Sequence, residues 1–426
     1  MVLAMFAGVV VARKLGPELR GYYGLTVFSV SILISFGQLG IGTAIAYLSG
    51  KKKYPKEQIL SFLIISSLTL GTLLAVSFFL LYPTIPGKWA NIDKHIMSLA
   101  LIATPFFLLQ NFNSRFLLSM LKVRQSNIAN LIRTILYLLL VLLLLWYLKG
   151  SLEQAVISYT VSIVIASVIG VIIFNRGIKP SLTFDSKLVK EAMSYGFKAY
   201  LINIFNFLNF RLDIFLIQHF LSASELSFYQ IAVNLSERLW YIPHALGTIL
   251  FPTLLAQKEV STRLTEKICR HNLFVMFALA TPIVIFARLA IGLFYGKEYL
   301  PTANALYSVI FGVMMFPIFQ FLSVDFAARN RLGIGILASS LGIIVNLALN
   351  LYLIPKIGIV GAGIATSVSY SIMAITLIII YSKSNKIPYR NLVIIKREDL
   401  ADYRGLINKI KGRLPTHTES TPDQIE

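Results

Sequence analysis

The chain has 426 residues, 56% of them hydrophobic and only 14% charged, with a mean hydropathy of +0.74. Soluble domains carry about 25% charged residues, so this composition cannot cover a water-facing surface and excludes an ordinary soluble domain. The net charge of +20 would suggest nucleic acid in a soluble protein, but in a membrane protein the same cations set orientation and attract anionic lipid, and no nucleic-acid partner is expected.

A helix crossing a bilayer needs about 20 mainly apolar residues. Twelve candidate spans follow along the chain: 1–12, 22–49, 58–82, 96–120, 127–148, 152–174, 195–220, 227–256, 268–294, 303–324, 333–354 and 359–381. No stretch of period-2 alternation competes with them, so the expected class is all-α and polytopic. The first span is short: twelve residues rise only about 18 Å against a core of about 30 Å. It lacks a basic region before it and a small-residue cleavage site after it, so it does not read as a signal peptide. A truncated start is the expectation.

The longest connection between spans, 175–194, divides them six and six. Two pseudo-symmetric six-helix lobes are therefore expected, over 1–174 and 195–381, joined by a basic linker at 175–194. With the N-terminus in the cytoplasm, the even-numbered loops hold sixteen Lys and Arg and the odd-numbered ones eight, Arg13 and Arg20 among the latter. The positive-inside rule then places both termini in the cytoplasm. A tail follows over 382–426, with Leu400, Tyr403, Leu406, Ile407, Ile410 and Leu414 at near-helical spacing. An amphipathic helix on the cytoplasmic leaflet or packed on the protein is expected there.

Cys269 is the only cysteine, which excludes an intramolecular disulfide and a cysteine-cluster metal site. The five histidines show no metal-ligand spacing, so neither metal nor cofactor is expected. Gly361-Ala-Gly363 is half a dinucleotide fingerprint without the preceding strand; small residues there suit close helix packing.

The candidate chemistry is charge inside oil. Arg211 and Asp213 lie in the seventh span, Glu237 and Arg238 in the eighth. A charge at a bilayer helix centre costs about 2.5–3.5 kcal/mol on insertion scales, so such residues face a partner or a watery cavity. Counting from the turn between the two spans, Arg211 and Arg238 both lie about 13–17 Å deep. Positions two apart on a helix differ by about 200°, so Arg211 and Asp213 cannot share a face. One can pair across the hairpin while the other faces a cavity, and Asp213 and Glu237 read as coupling groups or as a structural ion pair. Arg115, Arg133 and Lys198 are further cations in or near spans without a matching acid; they could form a basic vestibule for phosphate, or snorkel to the interface. Asn203 and Asn206 share a face that could bind sugar hydroxyls or join helices. Pro105, Pro243, Pro252, Pro282 and Pro317 predict kinks.

Several segments together resemble one family. Ala12-Arg13-Lys14-Leu15-Gly16-Pro17-Glu18 followed by Gly21-Tyr22-Tyr23-Gly24 resembles the first-loop signature of oligosaccharide flippases in polysaccharide biosynthesis. So do Gln38-Leu39-Gly40-Ile41-Gly42-Thr43-Ala44, Arg211-Leu212-Asp213, Phe228-Tyr229-Gln230-Ile231-Ala232 and the stretch from Ile354 to Ala362. The resemblance implies the multidrug/oligosaccharidyl-lipid/polysaccharide exporter superfamily, in which two lobes form a V around a cationic cavity and alternate access. It implies a flippase and not an enzyme. The implied substrate is a polyprenyl-diphosphate-linked glycan carried from the cytoplasmic to the outer leaflet, with membrane lipids, a glycan polymerase and glycosyltransferases as partners. Cavity arginines of the first and seventh helices carry over to Arg13 and Arg211; Arg238 is a cavity candidate by its depth alone. Many relatives have fourteen helices where this chain has twelve spans. A cation-coupled multidrug exporter of the same fold is the alternative. An integral-membrane sugar polymerase or ligase is disfavoured, because the longest expected outer loop is only 83–95.

Overall fold

The computed structural model describes residues 2–181, 186–256, 262–329, 331–396 and Asp399, with backbone alone at 198–199, 201–203, 206, 248–249, 251–252 and 255–256. Among the described residues there is no strand. The long helices of the first half are α1 (Val2–Gly37), α2 (Ile41–Gly50), α3 (Lys56–Leu81), α4 (Lys94–Leu101), α5 (Ala103–Ser119), α6 (Val123–Val141) and α7 (Leu152–Phe174). The second half has α8 (Ser186–Phe220), α9 (Ala223–Ser236), α10 (Tyr241–Ala256), α11 (Arg263–Phe294), α12 (Pro301–Ala328) and α13 (Leu332–Asn385), then the short α14 (Arg390–Val393).

Local chemistry cuts these helices into spans. Gly16 takes φ 70 and ψ 173 inside α1. A positive φ favours glycine, and the Pro17 ring excludes helical ψ from the residue before it. The break therefore sits at Gly16-Pro17, and the second segment starts at a proline preset for a helix N-terminus. Leu39 and Gly40 both have positive φ, and α1 and α2 meet there at 52°. In α13 the helix breaks at Ile357 and Gly358, the latter at φ 61. Its 54 residues would otherwise rise roughly 80 Å, more than twice the hydrocarbon core. Pro243 has no N–H for the carbonyl of Leu239, and a 3₁₀ turn, Glu237–Trp240, separates α9 from α10.

Seven helices, or eight with the bent α1–α2 pair, are long and apolar enough to cross a membrane. With α1 and α13 divided at their breaks, the described helices follow the twelve expected spans: this is a multi-pass all-α membrane protein. α8 and the α9–α10 run are not among those seven. α8 also begins at Ser186, well inside the expected linker, because Leu188 and Ala192 are buried against Ala44 and Leu48 of α2. The tail helix expected over 397–414 lies outside the described residues, Asp399 excepted.

Two compact units make up the chain. One comprises Met1–Arg238, Pro282–Val313 and Ser339–Tyr370; the other comprises Leu239–Thr281, Met314–Ala338 and Ser371–Glu426. The first has a core from α1 to α7 that includes Val11, Ile45, Leu60, Phe112 and Val156. Trp89, fully buried, donates its indole N–H to Ser29 Oγ at 2.7 Å.

In the second unit, polar groups tie helix ends together. The buried carboxylate of Asp325 on α12 pairs with Arg329 and accepts hydrogen bonds from Thr265 of α11 and, at 3.0 Å, Tyr381 of α13. Arg270 of α11 forks onto both oxygens of Asp399, at 2.8 and 3.0 Å, and donates to the Asn391 carbonyl at 2.6 Å. The hydrogen bonds from Arg270 hold the Asp399 carboxyl below its ordinary 3.8, at about 2. A depressed carboxyl contributes stability that is present in full above the unfolded value and lost as pH falls through the folded one. Limited proteolysis of segment 386–396 is therefore expected to proceed at the same slow rate from pH 8 to pH 5. Asp399→Asn should accelerate it several-fold at pH 7, and an unchanged rate in that variant would contradict the clamp.

Candidate functional site

The α8–α9 hairpin is set by a tight turn. Ser222 caps α9 in a capping box: its Oγ accepts from the Glu225 N–H, and its own N–H donates to Glu225 Oε2, both at 3.2 Å. This fixes the register of α8 against α9 and brings Arg211 opposite Glu237. The guanidinium donates to Glu237 Oε1 at 2.9 Å and Oε2 at 3.2 Å, and also to the Phe210 carbonyl at 3.1 Å. The pair is partly accessible, with side chains 30% and 18% exposed. Asp213, two positions on, is buried. It accepts from the Tyr229 hydroxyl and, at 2.8 Å, from the Ile214 N–H, while Tyr229 also contacts Thr366 Oγ1 at 3.2 Å. The 200° separation of Arg211 and Asp213 thus sends them to different partners.

A polar cavity of about 210 Å³ lies beside this hairpin, within the first unit. Arg211, Asp213 and Ile214 of α8 line it, together with Tyr229, Gln230, Val233 and Asn234 of α9. The third wall is α1, through Arg20, Tyr23, Gly24, Val27, Phe28 and Ser31. The spacing 20, 24, 27 and 31 marks one helix face. Arg20 donates to Gln230 Oε1 at 2.6 Å. Gly24 makes room for that bond: a Cβ there would lie 1.9 Å from Gln230 Oε1 and 2.6 Å from an Arg20 nitrogen. One turn away, a Cβ on Gly21 would lie 1.9 Å from the Ala223 carbonyl oxygen, so α1 and α9 touch backbone to backbone. The volume suits roughly seven waters, or the phosphates of a head group, and is too small for an oligosaccharide.

A second hollow of about 340 Å³ opens on α3, α4 and α5, lined by Thr72, Val76, Phe79, Pro105 and Phe106 among others. It is larger but has no charged lining, and it offers no polar chemistry.

The remaining sequence candidates are scattered. Arg13 is exposed and donates to the Phe294 carbonyl at 2.6 Å and to that of Leu293, at the end of α11. There it serves the unpaired carbonyls of a helix C-terminus. Arg238 is half-buried, and its charge reaches Tyr295. The Arg133 guanidinium lies 5.1 Å from the centroid of the Phe107 ring, a cation–π contact. Arg115 is exposed on α5. Lys198, Asn203 and Asn206 fall on α8, and their side chains lie outside the described residues. Other amides join helices: Asn175 donates to Asn113 at 2.8 Å and Gln110 to Asn130 at 3.4 Å.

Sequence reasoning missed Arg20, Tyr23, Tyr229 and Gln230 as site residues. Arg20 reads as a loop cation because the second expected span begins at residue 22, whereas the helix resumes at Pro17 and carries Arg20 into the bundle. The backbone contact at Gly21 gives a direct test. Gly21→Ala is expected to cost about 1–3 kcal/mol through overpacking, read as a lower thermal-unfolding midpoint in detergent. Gly8→Ala, where a Cβ meets nothing within 4 Å, should leave the midpoint unchanged or raise it. Equal midpoints for the two variants would contradict the close approach.

Comparison with known proteins places the chain. Residues 10–304 match the model of a family described as polysaccharide biosynthesis protein. A putative O-antigen transporter of Shigella flexneri is 25% identical over 245 residues, covering 55% of this chain and 57% of that protein. A probable low-salt glycan biosynthesis flippase of Haloferax volcanii, Agl15, is 23% identical over 167 residues, covering 38% and 35%. The matched stretch thus spans only about a third to a little over half the length of these relatives. Among solved structures, the lipid II flippase MurJ in an inward closed conformation superposes with a TM-score of 0.77 at 14% identity, covering 98% of this chain and 91% of that one. An inward-facing multidrug resistance transporter of the MATE family gives 0.72 at 14% identity, covering 92% and 95%. At that identity the likeness is one of fold, and the extent of the family match settles membership: the chain belongs to the polysaccharide biosynthesis protein family.

Proposed function

We propose that this protein is a flippase that moves a polyprenyl-diphosphate-linked oligosaccharide from the cytoplasmic to the outer leaflet by alternating access. The observation that carries this reading is the cavity of about 210 Å³ that Arg20 of α1 and Arg211 of α8 both line. Guanidinium forks match phosphate oxygens in geometry as well as charge, and a dry surrounding strengthens that attraction. Arg20 takes the role of the α1 arginine, since Arg13 is engaged with the α11 carbonyls. The likeness to the Shigella O-antigen transporter and the Haloferax glycan flippase supports the same substrate class.

In this reading the six spans of 1–174 and the six of 195–381 act as two lobes. Both termini are cytoplasmic, by the excess of cations in the even-numbered loops. The protein resides in the cell's cytoplasmic membrane and works beside the glycosyltransferases and glycan polymerase that supply and consume its substrate. The sugars need more room than about 210 Å³, so loading must widen the cavity. A second reading, a cation-coupled exporter of the same fold, is favoured by Asp213, a buried carboxylate on the cavity wall.

Reconstitution in liposomes with a fluorescent polyprenyl-diphosphate disaccharide tests the proposal. Wild-type protein should translocate the lipid. Arg211→Ala and Arg20→Ala should each insert normally and lower the initial rate about tenfold or more, the scale of a lost charge-assisted contact. Full translocation by Arg211→Ala would overturn the proposal; efflux of cationic drugs without lipid translocation would support the exporter.

A further inference from the structure

We propose that Glu237 is an internal counter-anion that competes with the substrate's phosphate for Arg211, holding the binding group neutral in the empty carrier and yielding it on loading. The inference rests on the flippase reading and adds to it a residue that sets affinity and release.

At the end-on fork of Arg211 the two anions exclude each other. Glu237 presents its two oxygens to the two terminal nitrogens of Arg211, at 2.9 and 3.2 Å. A phosphate that takes that fork must displace the carboxylate, because one of those nitrogens is further engaged by the Phe210 carbonyl. The Nε edge of the guanidinium is a second fork that Glu237 does not use, and a phosphate entering there still meets the like charge of the carboxylate beside it.

The pair is also placed to exchange. Arg211 lines the cavity, and Asn234, one turn before Glu237 on α9, lines it too. Both members of the pair remain partly accessible, unlike a sealed structural bridge. Glu237 closes α9 and opens the 3₁₀ turn Glu237–Trp240 that leads into α10, so it sits where the regular helix is already interrupted. Asp213 is turned elsewhere: it is buried and accepts from the Tyr229 hydroxyl and the Ile214 N–H.

The physical need for such a group is clear. A flippase must return without its cargo, and an uncompensated guanidinium within a bilayer is costly. With Glu237 bound, Arg211 carries a counter-anion in the empty state; with phosphate bound, it carries one in the loaded state. Glu237 acts by setting how firmly Arg211 holds the head group, which makes it a positioning residue.

The test measures binding of a polyprenyl diphosphate to detergent-purified protein, with the polyprenol of equal chain length as control, alongside translocation rates. Glu237→Gln should bind the diphosphate about tenfold more tightly, leave polyprenol binding unchanged, and lower the maximal translocation rate because release slows. Adding Arg211→Gln should erase the gain. Glu237→Asp, which keeps the charge but shortens its reach, should fall between wild type and Glu237→Gln and keeps the test available if the glutamine variant fails to fold. Equal or weaker diphosphate binding by a Glu237 variant whose unfolding midpoint matches wild type would overturn the proposal while leaving the flippase reading intact. If wild type itself binds diphosphate no better than polyprenol, the flippase reading falls and this inference with it.

Discussion

A charge deep in the membrane part of this chain must be answered by a protein partner or a watery cavity, because the bilayer core supplies neither. That constraint explains why the α8–α9 hairpin takes its form. The capping box at Ser222 sets the register, the register puts Glu237 against Arg211, and Tyr229 faces Asp213. Deleting one partner would strand the other. Such a hairpin has little freedom to slide.

The same constraint turns the hairpin into a site. Arg20 approaches from α1 because Gly21 and Gly24 let that helix come within backbone contact of α9. Its hydrogen-bond partner is a neutral amide, Gln230, whereas Arg211 has a full carboxylate. Two guanidinium groups held by acceptors of different strength can be given up to an incoming anion at different cost, which a carrier that must both capture and release can use. Permanently strong capture would lower the rate of turnover, since binding the ground state more tightly does not speed the crossing.

Much of this architecture was legible in the amino-acid sequence. Hydropathy located the twelve spans, and the backbone breaks at Gly16 and Gly358 fall in the expected connections 13–21 and 355–358. Intramembrane charge singled out Arg211, Asp213 and Glu237, since burying charge is costly enough to be a signal by itself. Long-range partnership was not legible. Arg13 meets carbonyls about 280 positions away, and nothing local distinguishes it from Arg20. The helical spacing of Arg20, Gly24, Val27 and Ser31 would have been the usable clue, had the loop boundary been set at Pro17. Nor does a sequence reveal that Asp213 turns to a tyrosine and not to an arginine, because both choices satisfy the carboxylate.

On the proposed function, the space between α1, α8 and α9 holds the phosphates of a lipid-linked substrate. Photo-crosslinking in membranes tests it most directly, with a photoreactive residue placed at Val27 or Val233 on the cavity wall and at Val76 in the separate apolar hollow. A radiolabelled polyprenyl-diphosphate disaccharide should label the first two positions, and excess unlabelled polyprenyl diphosphate, but not polyprenol, should suppress that labelling. Labelling confined to Val76, or labelling of Val27 and Val233 that polyprenol suppresses equally well, would contradict the account.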